Sequence, residues 1–218
     1  MIMKMLIRLI ILGLVTAVPA QAIPLVWGEW SWEHDQTVHL MVSPGGNGPA
    51  FTEAVYLGGG PTDATIRIQL WFQSDMPPDD PPPPAPVANF PAEDLWLEVS
   101  GMYYCSGGTT ADANTDDEGW FTFSLPPRMG GWAEQEEFPY VMVVGVPLTE
   151  LNGPYLRPGI LFNSPDINGD GSVNLADVGL FSTDFHGEYS FRSDFHWDGV
   201  LNLSDVGRLA TGMGSTCP

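Results

Sequence analysis

Asp166-Ile167-Asn168-Gly169-Asp170-Gly171-Ser172-Val173-Asn174-Leu175-Ala176-Asp177 carries oxygen-bearing side chains at positions 1, 3, 5, 9 and 12 of a short run, with glycine at position 6. Ser172, at position 7, offers its backbone carbonyl, and Val173 at position 8 is placed to enter a core. A hard cation such as calcium takes six to eight oxygens at about 2.3–2.6 Å, and the glycine allows the sharp turn that wraps them around one point. The run recurs as Asp194-Phe195-His196-Trp197-Asp198-Gly199-Val200-Leu201-Asn202-Leu203-Ser204-Asp205, keeping every Asp and the loop glycine. Both copies continue into Val-Gly and a helical pattern, over 175–185 and 203–211. Duplication is the economical account, and it predicts two calcium sites. Position 3 of the second copy is His196, and imidazole suits zinc or copper better than calcium. Either the second site is expected to be the weaker, or a water fills the gap; a zinc site and a plain surface or packing histidine are the alternatives.

Paired loop–helix units of this kind resemble a type I dockerin, the small calcium module that docks on cohesin domains, over about residues 164–214. The resemblance implies an EF-hand-like module without the entering helix, and Asp at position 12 follows the dockerin choice. It implies as ligands Asp166, Asn168, Asp170, Ser172 through its carbonyl, Asn174 and Asp177. In the second copy it implies Asp194, Asp198, Val200 through its carbonyl, Asn202 and Asp205, with His196 at the remaining position. The pairs before the last loop Asp, Leu175-Ala176 and Leu203-Ser204, depart from the polar pair that cohesin commonly reads. Two expectations follow: a different cohesin-like partner, or helices that pack on the chain's own preceding domain as a cap. Residues 215–218 are left as a tail. About 50 residues bury little core, so metal binding should add directly to the module's stability.

Residues 23–163 read as β-rich. The run 65–72 (TIRIQLWF) alternates, with Ile66, Ile68, Leu70 and Phe72 on one face and Arg67, Gln69 and Trp71 on the other. Further strands are expected at 26–32, 37–42, 94–99, 120–125 and 140–146, with turn clusters at 43–49, 58–63, 106–119 and 126–131. Short strands between turn signals argue for an antiparallel β-sandwich. The Pro-rich stretch 77–86 (PPDDPPPPAP) reads as a stiff exposed loop, because prolines cannot continue a sheet. Val87-Ala88-Asn89-Phe90-Pro91 and Thr115-Asp116-Asp117-Glu118-Gly119-Trp120-Phe121-Thr122-Phe123 resemble the invasin-type bacterial immunoglobulin-like domain, whose "TD-x-x-G" turn opens a strand. That resemblance covers roughly residues 62–147. It implies an immunoglobulin-like sandwich with a spacer or adhesion role and no catalytic residues.

The 218 residues are 44% apolar, enough for a packed core, and 25 Gly with 21 Pro point to many turns. Residues 1–22 read as a signal peptide: Lys4 and Arg8 precede a short apolar run, and Ala20-Gln21-Ala22 is a small-x-small cleavage site. No later segment is apolar enough to span a bilayer, so a secreted protein is expected. The formal charge of −20 becomes more negative when Lys4 and Arg8 leave, and no lysine remains. Such a surface repels nucleic acid and anionic lipid and favours cations. Cys105 and Cys217 are too far apart for a redox CxxC motif; in an oxidising compartment they either pair, tying the tail to the middle of the chain, or stay free.

Catalysis is not expected. There is no G-x-S-x-G and no H-E-x-x-H, and a triad from His34, Asp35 and His39 would put the two histidines on opposite strand faces. Many carboxylates make some close pair inevitable, so a glycosidase reading gains little from them. Carbohydrate binding is the better rival. Trp27, Trp30 and Trp32 cluster, and Trp71, Trp96, Trp120 and Trp132 add to them, although sandwich cores use tryptophan equally.

Overall fold

Alternating burial along one strand organises the β-rich region. The computed structural model of the chain describes residues 25–31, 37–73, 83–133, 139–149 and 158–218. The expected leader, Trp32, His34 and Asp35, and residues 77–82 of the Pro-rich stretch lie outside the described residues. Strand Ile66–Gln73 buries Ile66, Ile68 and Leu70 completely and turns Arg67 to solvent. Each of these three side chains contributes about 1.5–3 kcal/mol by leaving water. Phe72, expected on the same face, is 40% exposed because it lies near the strand's end, opposite Ala85.

Ile66–Gln73 pairs antiparallel with Leu25–Ser31, with Trp120–Phe123 and with the two-residue strand Ala85–Pro86. The end of the Pro-rich stretch is thus an edge strand and not only a loop. An edge tolerates Pro86, whose missing N–H would otherwise leave a gap in a ladder. A second sheet orders Leu95–Glu98, Tyr140–Val143 and Val146–Pro147. The expected single strand over 140–146 is broken by a tight turn at Val144 and Gly145, both with positive φ (51° and 84°), as a two-residue hairpin requires. A third sheet orders Ile160–Asn163, Val38–Met41, Ala54–Tyr56 and Pro61–Thr62. Its pairing of Ile160–Asn163 with Val38–Met41 is parallel, against the antiparallel expectation. A small antiparallel pair, Met102–Tyr104 with Met129–Gly131, completes the set. Pro61–Thr62 and Met129–Gly131 sit in stretches read from sequence as turns; the first folds back on nearby Ala54 and Val55, and the second pairs with the more distant Met102–Tyr104.

The strands are mostly antiparallel, and they share one core in which Leu40, Phe51, Ile66, Leu97, Phe121, Val141 and Phe162 meet. The expected Thr115–Gly119 turn is present in detail. Asp116 Oδ1 accepts from the amides of Glu118 and Trp120, Gly119 takes φ 80°, and strand Trp120–Phe123 follows.

Two α-helices lie among the described residues, Leu175–His186 and Leu203–Gly212, each within a residue of expectation at either end. Their N-caps are Asn174 and Asn202, closed by capping boxes with Asp177 and Asp205. The loops and helices share a second core of Ile167, Val173, Phe181, Phe195 and Leu209. Met41, from the β-rich region, belongs to this second core as well. Among the described residues no helix is long and apolar enough to cross a membrane.

Candidate metal centre

Each loop winds around its own first and last aspartates. In the first, the amides of Asp170 and Gly171 donate to Asp166 Oδ1 and Oδ2 at 3.1 and 2.9 Å. Those of Asn168 and Asn174 donate to Asp177 Oδ1 and Oδ2 at 3.2 and 2.9 Å. The second loop repeats this bond for bond. Asp198 and Gly199 donate to Asp194 at 3.3 and 2.9 Å, and His196 and Asn202 to Asp205 at 3.0 and 2.9 Å. The backbone agrees: position 4 is left-handed in both (Gly169 φ 66°, Trp197 φ 57°), as is position 6 (Gly171 φ 86°, Gly199 φ 84°). The Asn at position 9 caps the helix and donates through Nδ2 to the position-7 carbonyl, Ser172 at 3.2 Å and Val200 at 3.5 Å.

Asp166, Asp177, Asp194 and Asp205 are all fully buried. Burial pushes the Asp166 carboxyl up to about 6; the Gly171 and Asp170 amides oppose this, while the charges of Asp177 and Asp170 push with it. Burial raises Asp205 too, against the Asn202 and His196 amides and with the charges of Asp194 and Asp198. Among the described residues the ion pair is Arg192 with Asp184, at 2.8 Å, so none of these four aspartates has a cationic side chain as partner. Buried carboxylates with like-charged neighbours are costly without a cation. The oxygen donor set of each loop fits calcium on that ground. Among the described residues no three His, Cys, Asp or Glu side chains stand together as a metal-holding group.

The loops differ in their side chains. Asn168 Nδ2 donates to Asp170 Oδ2 at 3.0 Å, keeping positions 3 and 5 together. His196 turns away instead: its Nδ1 accepts from Arg208 Nη2 at 3.2 Å. Tyr189, outside the repeat motif, donates its hydroxyl to Asp194 Oδ2 at 2.9 Å, and burial followed by that bond raises its pKa. Trp197 is buried and stacks on His39, with ring centroids 5.1 Å apart and planes at 21°.

Much of what holds the loops was invisible in the motif. Asn163, fully buried at the end of strand Ile160–Asn163, donates through Nδ2 to the carbonyls of Phe191 (3.0 Å) and Asp194 (2.9 Å). Its Oδ1 bonds His39 Nε2 at 2.8 Å. Burial lowers the His39 pKa to about 3, so His39 is neutral and Nε2 is the donor to the amide oxygen. Cys105 and Cys217 form a disulfide across 112 residues of sequence. A loop that long contributes up to about 4.7 kcal/mol in the chain-entropy account. Of the tryptophans weighed for sugar stacking, Trp71, Trp96, Trp120 and Trp132 are each half-buried; Trp96 donates to Glu98, and Arg67 covers Trp120 at 4.2 Å. No family model, curated protein or solved structure matches this chain.

Proposed function

We propose that the chain is an exported, noncatalytic calcium protein, in which a dockerin-like paired-loop module is set against an immunoglobulin-like β-sandwich. The observation that carries this reading is the bond-for-bond agreement of the two loops around four fully buried aspartates. Calcium, when bound, supplies the charge neutralisation those carboxylates need and cross-links each loop. Asp166, Asn168, Asp170, Ser172, Asn174 and Asp177 would hold the first ion. Asp194, Asp198, Val200, Asn202 and Asp205 would hold the second, more weakly, because His196 is engaged by Arg208. Several sheets sharing one core supports the sandwich, and the Cys105–Cys217 bridge supports an oxidising compartment, as does the leader.

The module's task is then both cap and dock. Met41 in its core, Asn163 on its second loop and the disulfide favour packing on the β-rich region. The first helical residues Leu175 and Leu203, at matching places in the two copies, are 79% and 80% exposed and offer an apolar pair to a cohesin-like partner. Calorimetric calcium titration tests the reading, with Asp170→Ala and Asp198→Ala alongside. Two ions per chain are expected, the tighter lost with Asp170→Ala and the weaker with Asp198→Ala. No heat at roughly millimolar calcium, the weakest range of such sites, rejects it.

A further inference from the structure

The first loop is gripped on two sides by groups from outside the repeat motif. On one side stands the pair of strands Met102–Tyr104 and Met129–Gly131. Gly131 N–H donates to the Asp166 carbonyl at 2.6 Å. At Gly130 a side chain would strike Asp166 Oδ2, so the first carboxylate of the loop nests where this strand has no Cβ. The Tyr103 ring lies so close over Gly171 that a Cβ there would come within 2.9 Å of it.

On the other side lies the C-terminal tail. Val173 N–H donates to Ser215 O at 2.8 Å, Gly214 N–H to Val173 O at 3.0 Å, and Cys217 N–H to Gly171 O at 3.0 Å, around a β-bridge of Ser172 with Thr216. These bonds fix positions 6 to 8, including the residue whose carbonyl is a ligand candidate. Cys217 is bonded in turn to Cys105, whose amide donates to Arg128 O at 3.1 Å, next to strand Met129–Gly131. Both grips on the first loop thus hang from one pair of strands. The second loop is held otherwise, through Asn163, with its position-4 ring on His39.

We propose that this strand pair and the Cys217-anchored tail are positioning elements of the first calcium site, so that the Cys105–Cys217 bridge sets the affinity of the first loop and leaves the second alone. The inference rests on the calcium reading above. Its physical basis is preorganisation: a loop whose backbone is already ordered loses less freedom when an ion binds, and groups that orient ligands govern affinity nearly as the ligands do. With the bridge cut, the tail is tethered only by its hydrogen bonds, and terminal segments so held open readily.

The experiment uses the full chain. Calcium titrations are run on the bridged protein, on protein reduced by a water-soluble phosphine, on Cys217→Ser and on Gly130→Ala. Reduction adds two electrons and two protons to give two thiols, while the phosphine takes an oxygen from water. Asp170→Ala and Asp198→Ala assign the two binding events, and hydrogen exchange in strand Ile66–Gln73 reports the β-core. Reduced protein and both variants should lose about ten-fold or more at the first site, as loss of orienting partners generally does. The second site should stay unchanged and the β-core protected. An unchanged first site, equal weakening of both sites, or loss of β-core protection on reduction overturns the inference. Bridged wild-type protein that binds no calcium overturns the underlying reading as well, which separates the two failures.

Discussion

The first and second loops share a backbone and differ in what surrounds it. Both close the same amide-to-aspartate bonds and both take left-handed turns at positions 4 and 6. In the first loop those turns are made by Gly169 and Gly171, and its side chains at positions 3 and 5 bond only each other and the loop backbone. In the second loop, position 4 is Trp197, held left-handed by its packing on His39 and Phe191, and position 3 is bound to Arg208. A non-glycine residue in that conformation costs about 1–2 kcal/mol, and the buried ring more than offsets it. One duplicated backbone is therefore seated in two ways: the first copy's side chains at positions 3 and 5 bond within the loop, and the second copy puts a ring into the seam with the β-rich region.

The largest effect should come from taking that seam apart. Trp197→Ala is expected to destabilise the chain by about 3–5 kcal/mol, as large buried aromatics do. Gly169→Ala, at the matching place in the first loop, should cost only about 1–2 kcal/mol through its positive φ. Chemical denaturation of both variants measures the gap; equal losses would mean that the second loop is no more a packing element than the first.

A smaller effect, of opposite sign at Asp166 of the first loop and at His39 beneath the second, should appear with pH in calcium-free protein. His39 is neutral in the fold down to about pH 3, whereas the unfolded chain takes up that proton near its ordinary 6.5. Its contribution to stability therefore falls as pH drops from about 6.5 towards 3, with a limiting slope of about 1.4 kcal/mol per unit. Asp166 acts the other way. Its folded pKa of about 6 lies above the ordinary 3.8, so the fold binds the proton first and gains stability as pH falls from about 6 to 3.8. Denaturation between pH 7 and 4.5 should show a shallower acid loss in His39→Gln and a steeper one in Asp166→Asn. Parallel profiles for the two variants would remove the distinction.

The smallest effect tests where the loops are alike. Leu175→Ser and Leu203→Ser, at the two exposed helix starts, should each shift stability by less than about 0.5 kcal/mol, as surface positions generally do. Thermal melts check this, and a loss near 2 kcal/mol at either would show that it is covered by the rest of the chain.

Local chemistry made the loops legible. Asp, Asn and Gly at fixed spacing specify which amides are capped and where φ turns positive, and the helix limits followed from the same residues, Asn174 with Asp177 and Asn202 with Asp205. The 66–71 alternation and the Asp116–Gly119 turn were readable for the same reason, since partner and consequence lie within a few residues. Strand Ile160–Asn163 was not readable, because its parallel partner lies more than a hundred residues away and its four buried residues carry no alternation. Nor was the turn at Val144, where a β-branched residue adopts a conformation it disfavours and pairing on both sides enforces it.

Taken along the chain alone, the residues specify two matched loops, the helices they cap, the β-rich character of what precedes them and the acidic charge. Each of these depends on bond geometry and hydrophobic period over a few residues. Packing alone decided that Asn163 would fasten the second loop, that Gly130 would make room for Asp166, that Met41 would join the repeat's core, and that Cys217 would reach Cys105. Such contacts join segments whose separation in sequence carries no local signal. They form because a buried carbonyl, carboxylate or ring must find a partner once water is excluded, and the folded chain brings only certain partners within reach.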